Sequence, residues 1–133
     1  MKNILLGILI IQSLFSYGQE QVVTEGKDFS IINFVPFPMK IANGKSMIYT
    51  IGLGNRVIGT IAYNENLQYK IYSEGRATVI AGGAFLLDIK KGSTYWIELN
   101  PRSGNYGVTN EKAGLKLFKK NVNTLYVEED RNK

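Results

Sequence analysis

An all-β fold, an antiparallel β-sandwich of about seven to eight strands, is what this 133-residue sequence predicts. Three observations lead there. Short runs of alternating apolar and polar residues recur at a spacing of roughly 8 to 12 residues. Turn signals rich in glycine separate them, at Asn43-Gly44, Gly54-Asn55, Gly75, Gly82-Gly83 and Gly92. And no segment carries a persuasive helical period. The one candidate, residues 109–120, has Gly114 in its middle, and Leu115, Leu117 and Phe118 suit a strand with a charged exposed side.

The first residues, MKNILLGILIIQSLFSYGQ, read as a secretory signal. Lys2 supplies the positive start, residues 4–15 are apolar apart from Gln12 and Ser13, and Ser16 and Gly18 are the small residues before a cut at Gln19. The apolar run is about a dozen residues, short of the roughly 20 that a spanning helix needs, which favours a cleaved signal over a membrane anchor. No cysteine follows the cut, so lipid attachment by that route is excluded. The expected organisation is a signal at 1–18, a flexible segment at 19–30, the sandwich at 31–129 and a charged tail at 130–133. No later apolar run is long enough to span a bilayer. The expected location is therefore outside the cytoplasm: periplasmic, outer-membrane-associated or secreted.

Strands are expected in order at 29–35, stopped by Pro36 and Pro38, then at 46–53 and 56–62 around the Gly54-Asn55 turn. Asn64-Glu65-Asn66 reads as a polar break. Residues 67–72 alternate, with Leu67, Tyr69 and Ile71 on one face; 76–81 follows Gly75, and 84–89 follows Gly82-Gly83. Residues 94–99 and YGVT come next, and two last strands are expected at 115–119 and 125–129.

The stretch DIKKGSTYWIEL at 88–99 asks for a closer look. Period two puts Phe85, Leu87 and Ile89 on one face and Tyr95, Ile97 and Leu99 on one face of the next strand. If the two strands pair directly, a loop of Lys90-Lys91-Gly92 sets Leu87 opposite Tyr95 and Phe85 opposite Ile97, with Gly92 in the left-handed position that such a loop needs. Trp96 then points outward with Thr94 and Glu98. An outward tryptophan is either covered, by the FSIINFVPF stretch or a loop, or presented to a ligand.

The order MIYTIGLGNRVIGTI, LQYKIYSEG, RATVIA and FLLDIKKGSTYWIEL resembles the small exported β-sandwich domains of unknown function in Gram-negative bacteria. It is similar, more distantly, to PEGA-type surface β-domains. The matching positions are Glu74-Gly75 and Gly92-Ser93-Thr94-Tyr95-Trp96, within residues 46–99. The resemblance implies a sandwich fold and no activity or site residues. Glu74 departs from it, since proline often precedes that glycine in the family.

Composition removes much chemistry. The chain has no histidine and no cysteine, so Ser-His-Asp, Cys-His, zinc-thiolate and histidine-metal sites cannot be built from it. Asp88 and Glu98, expected on one face of neighbouring strands, are the only carboxylate pair that suggests a small glycoside hydrolase. The acids show no calcium-loop spacing, and neither a metal nor a cofactor is expected. The formal charge of +5 falls close to +4 once Lys2 leaves with the signal. That mild excess suits envelope polysaccharide, anionic lipid or an envelope protein as partner, and export argues against nucleic acid. Trp96, Arg102 and Tyr106 are the candidate ligand-binding residues, the last two in the NPRSGNYG loop. The expected function is a non-catalytic exported binding or structural module of the cell envelope. The alternative is an interaction or assembly subunit of an envelope complex.

Overall fold

A computed structural model describes residues 22–38 and 48–131. The expected signal at 1–18 and the Asn43-Gly44 turn lie outside the described residues. The described residues form nine strands and one helix in two layers, an all-β sandwich.

The five-stranded sheet has the order β8-β7-β1-β4-β9, built from β1 (Ser30–Pro36), β4 (Glu65–Ile71), β7 (Thr94–Asn100), β8 (Asn105–Thr109) and β9 (Asn123–Glu128). The four-stranded sheet has the order β3-β2-β5-β6, from β2 (Ile48–Leu53), β3 (Arg56–Ala62), β5 (Gly75–Ile80) and β6 (Ala84–Ile89). Helix α1 (Glu111–Lys120) connects β8 to β9. Two strand pairs, β1–β7 and β4–β9, are parallel, so the sheet is mixed and not wholly antiparallel.

The inter-sheet core follows the alternation of the sequence. Ile32 and Phe34 of β1 and Leu67, Tyr69 and Ile71 of β4 face Tyr49, Ile51, Val79 and Leu87 of the other sheet. Gly59 sits where β3 crosses Leu67, and a Cβ there would meet Leu67 Cδ1 at 2.5 Å. β1 is buried along its whole length. A strand buried on both faces reads as a continuous apolar run and not as an alternation, which is the character of SIINFVP. Pro36 ends it, and the Phe37 N–H takes up the ladder by donating to Leu99 O at 2.8 Å.

The Gly54-Asn55 turn joins β2 to β3 as expected, with Gly54 at φ +66°. The polar break is shorter than expected. Only Tyr63 and Asn64 turn, while Glu65 and Asn66 belong to β4 and Asn66 is buried.

The direct pairing across Lys90-Lys91-Gly92 is corrected. β6 pairs with β5, and β7 pairs with β1 and β8, so the connection is a corner between sheets. Gly92 is left-handed, at φ +80°, and its N–H donates to Phe29 O. The Tyr95 hydroxyl braces the corner, accepting from Lys90 N–H at 2.9 Å and donating to Asp88 O at 3.1 Å. The facing of each strand is as expected, because period two fixes the face; it does not fix the neighbour.

The strand expected at 115–119 is also corrected: these residues are helical. Asn110 caps α1 by accepting from Ala113 N–H at 2.8 Å, Glu111 lies in the first turn, and Lys119 and Lys120 lie in the last. The helix buries Gly114, Leu117 and Phe118, one stripe at the spacing i, i+3, i+4. Gly114, which argued against a helix in the sequence, is the point of contact. It lies against the indole of Trp96, and a Cβ there would sit 2.6 Å from Cε3 and 2.7 Å from Cδ2.

Gly114→Ala tests this seat. Helix propensity alone favours alanine by about 1 kcal/mol. The clash with a packed indole reverses the sign, and we expect a net destabilisation of about 1–3 kcal/mol in urea unfolding. Gly107→Ala, whose new methyl meets open space, should stay within about 0.5 kcal/mol of the parent. A Gly114→Ala variant as stable as the parent would show that the helix is not held on Trp96.

Candidate functional site

The three residues singled out in the sequence do not form one site. Trp96 points away from the inter-sheet core as expected, but it is 5 % exposed. Its cover is α1, with Phe118 edge-on at a centroid distance of 6.1 Å and Leu117 and Val35 beside it. Tyr106 lies on the other face of the same sheet, opposite Leu99, with its ring on Gly82, where a Cβ would overlap the ring carbons Cδ1 and Cε1. It packs β8 onto the β5–β6 turn across the sandwich. Arg102 is exposed in the β7–β8 turn, where its N–H donates to Asn100 Oδ1 at 3.0 Å. The carboxylate pair is not assembled either. Asp88 points outward from the four-stranded sheet and Glu98 outward from the five-stranded one. Packed sheets are about 10 Å apart, so groups on opposite outer faces exceed the roughly 5–9.5 Å of a glycosidase pair. Glu98 instead accepts from the side-chain amides of Asn100 and Asn105.

Two other features stand out. The first is a cleft of about 530 Å³ beside the β2–β3 turn, the end of β4 and the residues after β9. Leu53, Ile71 and Ala77 form an apolar floor, Tyr69 lies in the wall, and Arg56 and Arg131 line the rim. Glu129 closes one side. Its Oε1 accepts from Tyr72 N–H at 2.6 Å and Ser73 N–H at 3.1 Å, and its Oε2 from the Ser73 hydroxyl at 2.6 Å. Arg131 lies 3.9 Å over the Tyr72 ring and 3.9 Å from Asp28. Desolvation pushes the Glu129 carboxyl upward, but the Ser73 hydroxyl, the two N–H donors and Arg56 outweigh it and hold the group below the usual glutamate value. Tyr69 is raised by burial first and by Glu129 second, with Arg56 opposing. Deeper in the core, burial and then Tyr106 push the Tyr49 hydroxyl up to about 12.

The second feature is the outer face of the four-stranded sheet. The register places Val57, Gly52, Ile80 and Ala84 in one row across all four strands, with Thr78 beside Leu86 in the next. Val57 is 66 % exposed, Ile48 63 %, Leu86 61 % and Ile80 48 %.

Neither feature was singled out in the sequence. Arg56 reads there as the first residue of a strand and Glu129 as part of a charged end, and only the fold brings residues 53–56, 69–77 and 129–131 together. The exposed row did carry a signal: valine, isoleucine and leucine at the outward positions of strands whose inward positions are also apolar. Among the described residues no three acids stand together as a metal site, and no helix is long and apolar enough to cross a membrane.

Glu129 makes the cleft wall sensitive to pH. Its folded pKa lies below its unfolded one, so its contribution is complete above the ordinary value of 4.5 and is lost as pH falls through the folded value. Comparison of melting curves for the parent and Glu129→Gln should show the parent losing more stability on acidification below 4.5, while the variant starts lower and falls less. Parallel curves would exclude the carboxylate clamp.

The chain matches no family model, no curated protein and no solved structure among known proteins.

Proposed function

We propose that this chain is an exported, non-catalytic interaction module of the cell envelope, which binds a partner protein through the outer face of its four-stranded sheet. The observation that carries this is the contrast between the two outer faces. On the five-stranded sheet α1 covers Val35 and Trp96. On the four-stranded sheet Ile48, Val57, Ile80 and Leu86 stand about half to two-thirds in solvent. Contiguous exposed apolar residues on a soluble domain mark interaction surfaces.

The chemistry of the face favours protein over the other partners weighed. Its outward residues include no aromatic ring on which a sugar would stack. Its charges are mixed: Arg76 stands opposite Asp88 in the ladder, and Glu74 Oε2 accepts from Lys91 N–H at the corner. An anionic lipid surface calls for a cluster of one sign. A flat, neutral apolar protein surface is the better complement. The absence of histidine and cysteine and the separation of Asp88 from Glu98 support a non-catalytic role. Export rests on the first 18 residues, and the likeness to small exported Gram-negative β-sandwich domains belongs to the same reading.

A photo-crosslinking amino acid at Leu86 or Val57, introduced in the native host, should give a discrete protein adduct in the envelope fraction. The same group at Lys112, on the exposed side of α1, should give none. Adducts at all three positions alike, or none at the two sheet positions, would reject the face. Mass spectrometry of the exported chain should begin at Gln19, and retention of residues 1–18 would reject the export reading.

A further inference from the structure

We propose that the open edge of β6 pairs antiparallel with β6 of a second copy, about a two-fold axis at Phe85, and so joins two four-stranded sheets into one. The pairing uses the edge of the sheet and not its outer face, so it stands apart from the partner reading.

Backbone polarity shows which groups the edge presents. β5 holds β6 on one side, and among the described residues no strand lies on the other. In an antiparallel strand each residue turns its N–H and C=O to one side, and successive residues alternate. Thr78 O accepts from Gly54 N–H at 2.8 Å, on the β2 side of β5. Thr78 thus turns away from its ladder partner Leu86, and the Leu86 N–H and C=O point to the open edge. The β5–β6 turn agrees. Ala81 N–H donates to Gly83 O at 2.8 Å, which puts the odd-numbered residues of both strands between them. So does Asp88, whose C=O turns away from β5 to accept from the Tyr95 hydroxyl at 3.1 Å. The open stretch therefore consists of the N–H and C=O groups of Ala84 and Leu86, and Tyr95 closes the edge beyond them.

Exposed edges invite pairing, and most are blunted by charge, proline, a bulge or shortness. The other three edges carry such features: Arg56 begins β3, β8 is 5 residues long, and β9 ends on Glu128. Up to Asp88, β6 has neither charge nor proline, and its register with β5 is unbroken. Phe85 adds a side-chain reason. It packs on the core but stays half-buried, with no strand beside it.

The strand is its own complement. An antiparallel self-pairing about a residue sets each side chain against one on the same face, a closed two-fold contact. With the axis at Phe85, Ala84 of each copy exchanges both hydrogen bonds with Leu86 of the other. Phe85 meets Phe85 on the inner side, as an aromatic cross-strand pair. Asp88 falls opposite Gly82 of the second copy, so no like charges meet. An axis at Leu86 would instead set Ala84 against Asp88, whose carbonyl Tyr95 already holds. The outward row of Val57, Gly52, Ile80 and Ala84 then runs on to Leu86 of the second copy, which lengthens the apolar face.

In analytical ultracentrifugation the purified exported protein should show a monomer–dimer equilibrium that rising concentration drives toward dimer. Ala84→Pro removes an N–H that points away from β5, at the first residue of a strand, where proline is tolerated. Its far-UV circular dichroism should match the parent, while the dimer dissociation constant rises about tenfold or more. Ala84→Lys, at the same exposed position, is the second variant and should weaken the dimer in the same direction. The chain has no cysteine, so single cysteines report contacts cleanly. Phe85→Cys should form an intermolecular disulfide under mild oxidation, since a non-hydrogen-bonded pair on the axis sets its Cα atoms about 4.5 Å apart. Val57→Cys, on the far edge strand β3, should not. A monomer at every concentration would overturn the proposal and leave the edge to a strand of another protein. A dimer that both Ala84 variants leave intact would overturn it too. A disulfide that forms faster through Leu86→Cys than through Phe85→Cys would overturn the axis. Photo-crosslinks at Val57 keep the partner reading separate, and an adduct of two copies at Leu86 belongs to the edge.

Discussion

The contact between Trp96 and Gly114 is the constraint on which the rest of this fold depends. An outward tryptophan on a sheet is a large apolar surface without a sandwich partner. Burying an aromatic side chain of about 150–250 Å² is favourable by on the order of 4–6 kcal/mol at about 25 cal/mol per Å². That gain is available only if something lies flat on the indole, and a helix does so closely only where it lacks a side chain. Gly114 provides the gap, and Leu117 and Phe118, three and four residues later, close around the ring. Seating α1 on Trp96 and Val35 covers that part of the outer face of the five-stranded sheet. It thereby allows β1 to be buried on both sides, and it sets the direction in which the chain leaves toward β9.

That exit is fixed by a buried polar cluster. Asn66 Nδ2 donates to Phe118 O at 3.0 Å, at the end of the helix, and to the Thr124 hydroxyl at 3.3 Å. Asn121 Nδ2 donates to Pro36 O at 3.0 Å and to Asn66 Oδ1 at 2.8 Å. Buried amides cost free energy unless they are satisfied; both Nδ2 groups and Asn66 Oδ1 are paired, and Asn121 Oδ1 alone finds no partner among the described residues, so the cluster tolerates few alternative arrangements. It ties the last turn of α1 to β1 and β4 at once. β9 can then lie parallel to β4, a pairing that a hairpin could not produce. The run of β9 ends by placing Glu129 on the amides of Tyr72 and Ser73. The cleft wall is thus a remote consequence of the seat on Trp96.

The legible and illegible parts of the sequence divide along the same line. Strand faces were legible, because Leu67, Tyr69 and Ile71, or Phe85, Leu87 and Ile89, declare their side by period two. Turn positions were legible at Gly54 and Gly92, where backbone conformation demands glycine. Strand neighbours were not. Nothing local in DIKKGSTYWIEL distinguishes a hairpin from a corner, since both need Gly92 and both keep Tyr95 inward. The helix was hidden by the residue that makes it possible. Gly114 lowers intrinsic helicity, and its role appears only when Trp96, distant in sequence, is above it. Asn66 looked like a turn residue for a similar reason, since the amide that suits a turn is also the one that crosslinks Phe118, Thr124 and Asn121. The cleft could not be read at all. Arg56, Ser73 and Glu129 carry no spacing signal, being gathered from two turns and the end of a strand.

A helix over part of one outer face and, among the described residues, no segment over the other is an unequal use of the two sheets, and it has a physical logic. A sandwich core needs only the two inner faces; each outer face is free to be polar. Here the apolar part of the outer face of the five-stranded sheet, Val35 and Trp96, is covered by the chain's own helix, so these residues serve stability. The outer face of the four-stranded sheet carries Val57, Ile80 and Leu86 with no segment of the described residues over them. Those residues add little to the inter-sheet core, which is complete with Ile51, Ile61, Val79 and Leu87. Aliphatic side chains that the fold does not use, standing outward on β3, β5 and β6, are a cost in solubility. A surface of that kind is retained when something else covers it. The cleft shares none of these residues, since its floor is built from inward positions and its rim from turns.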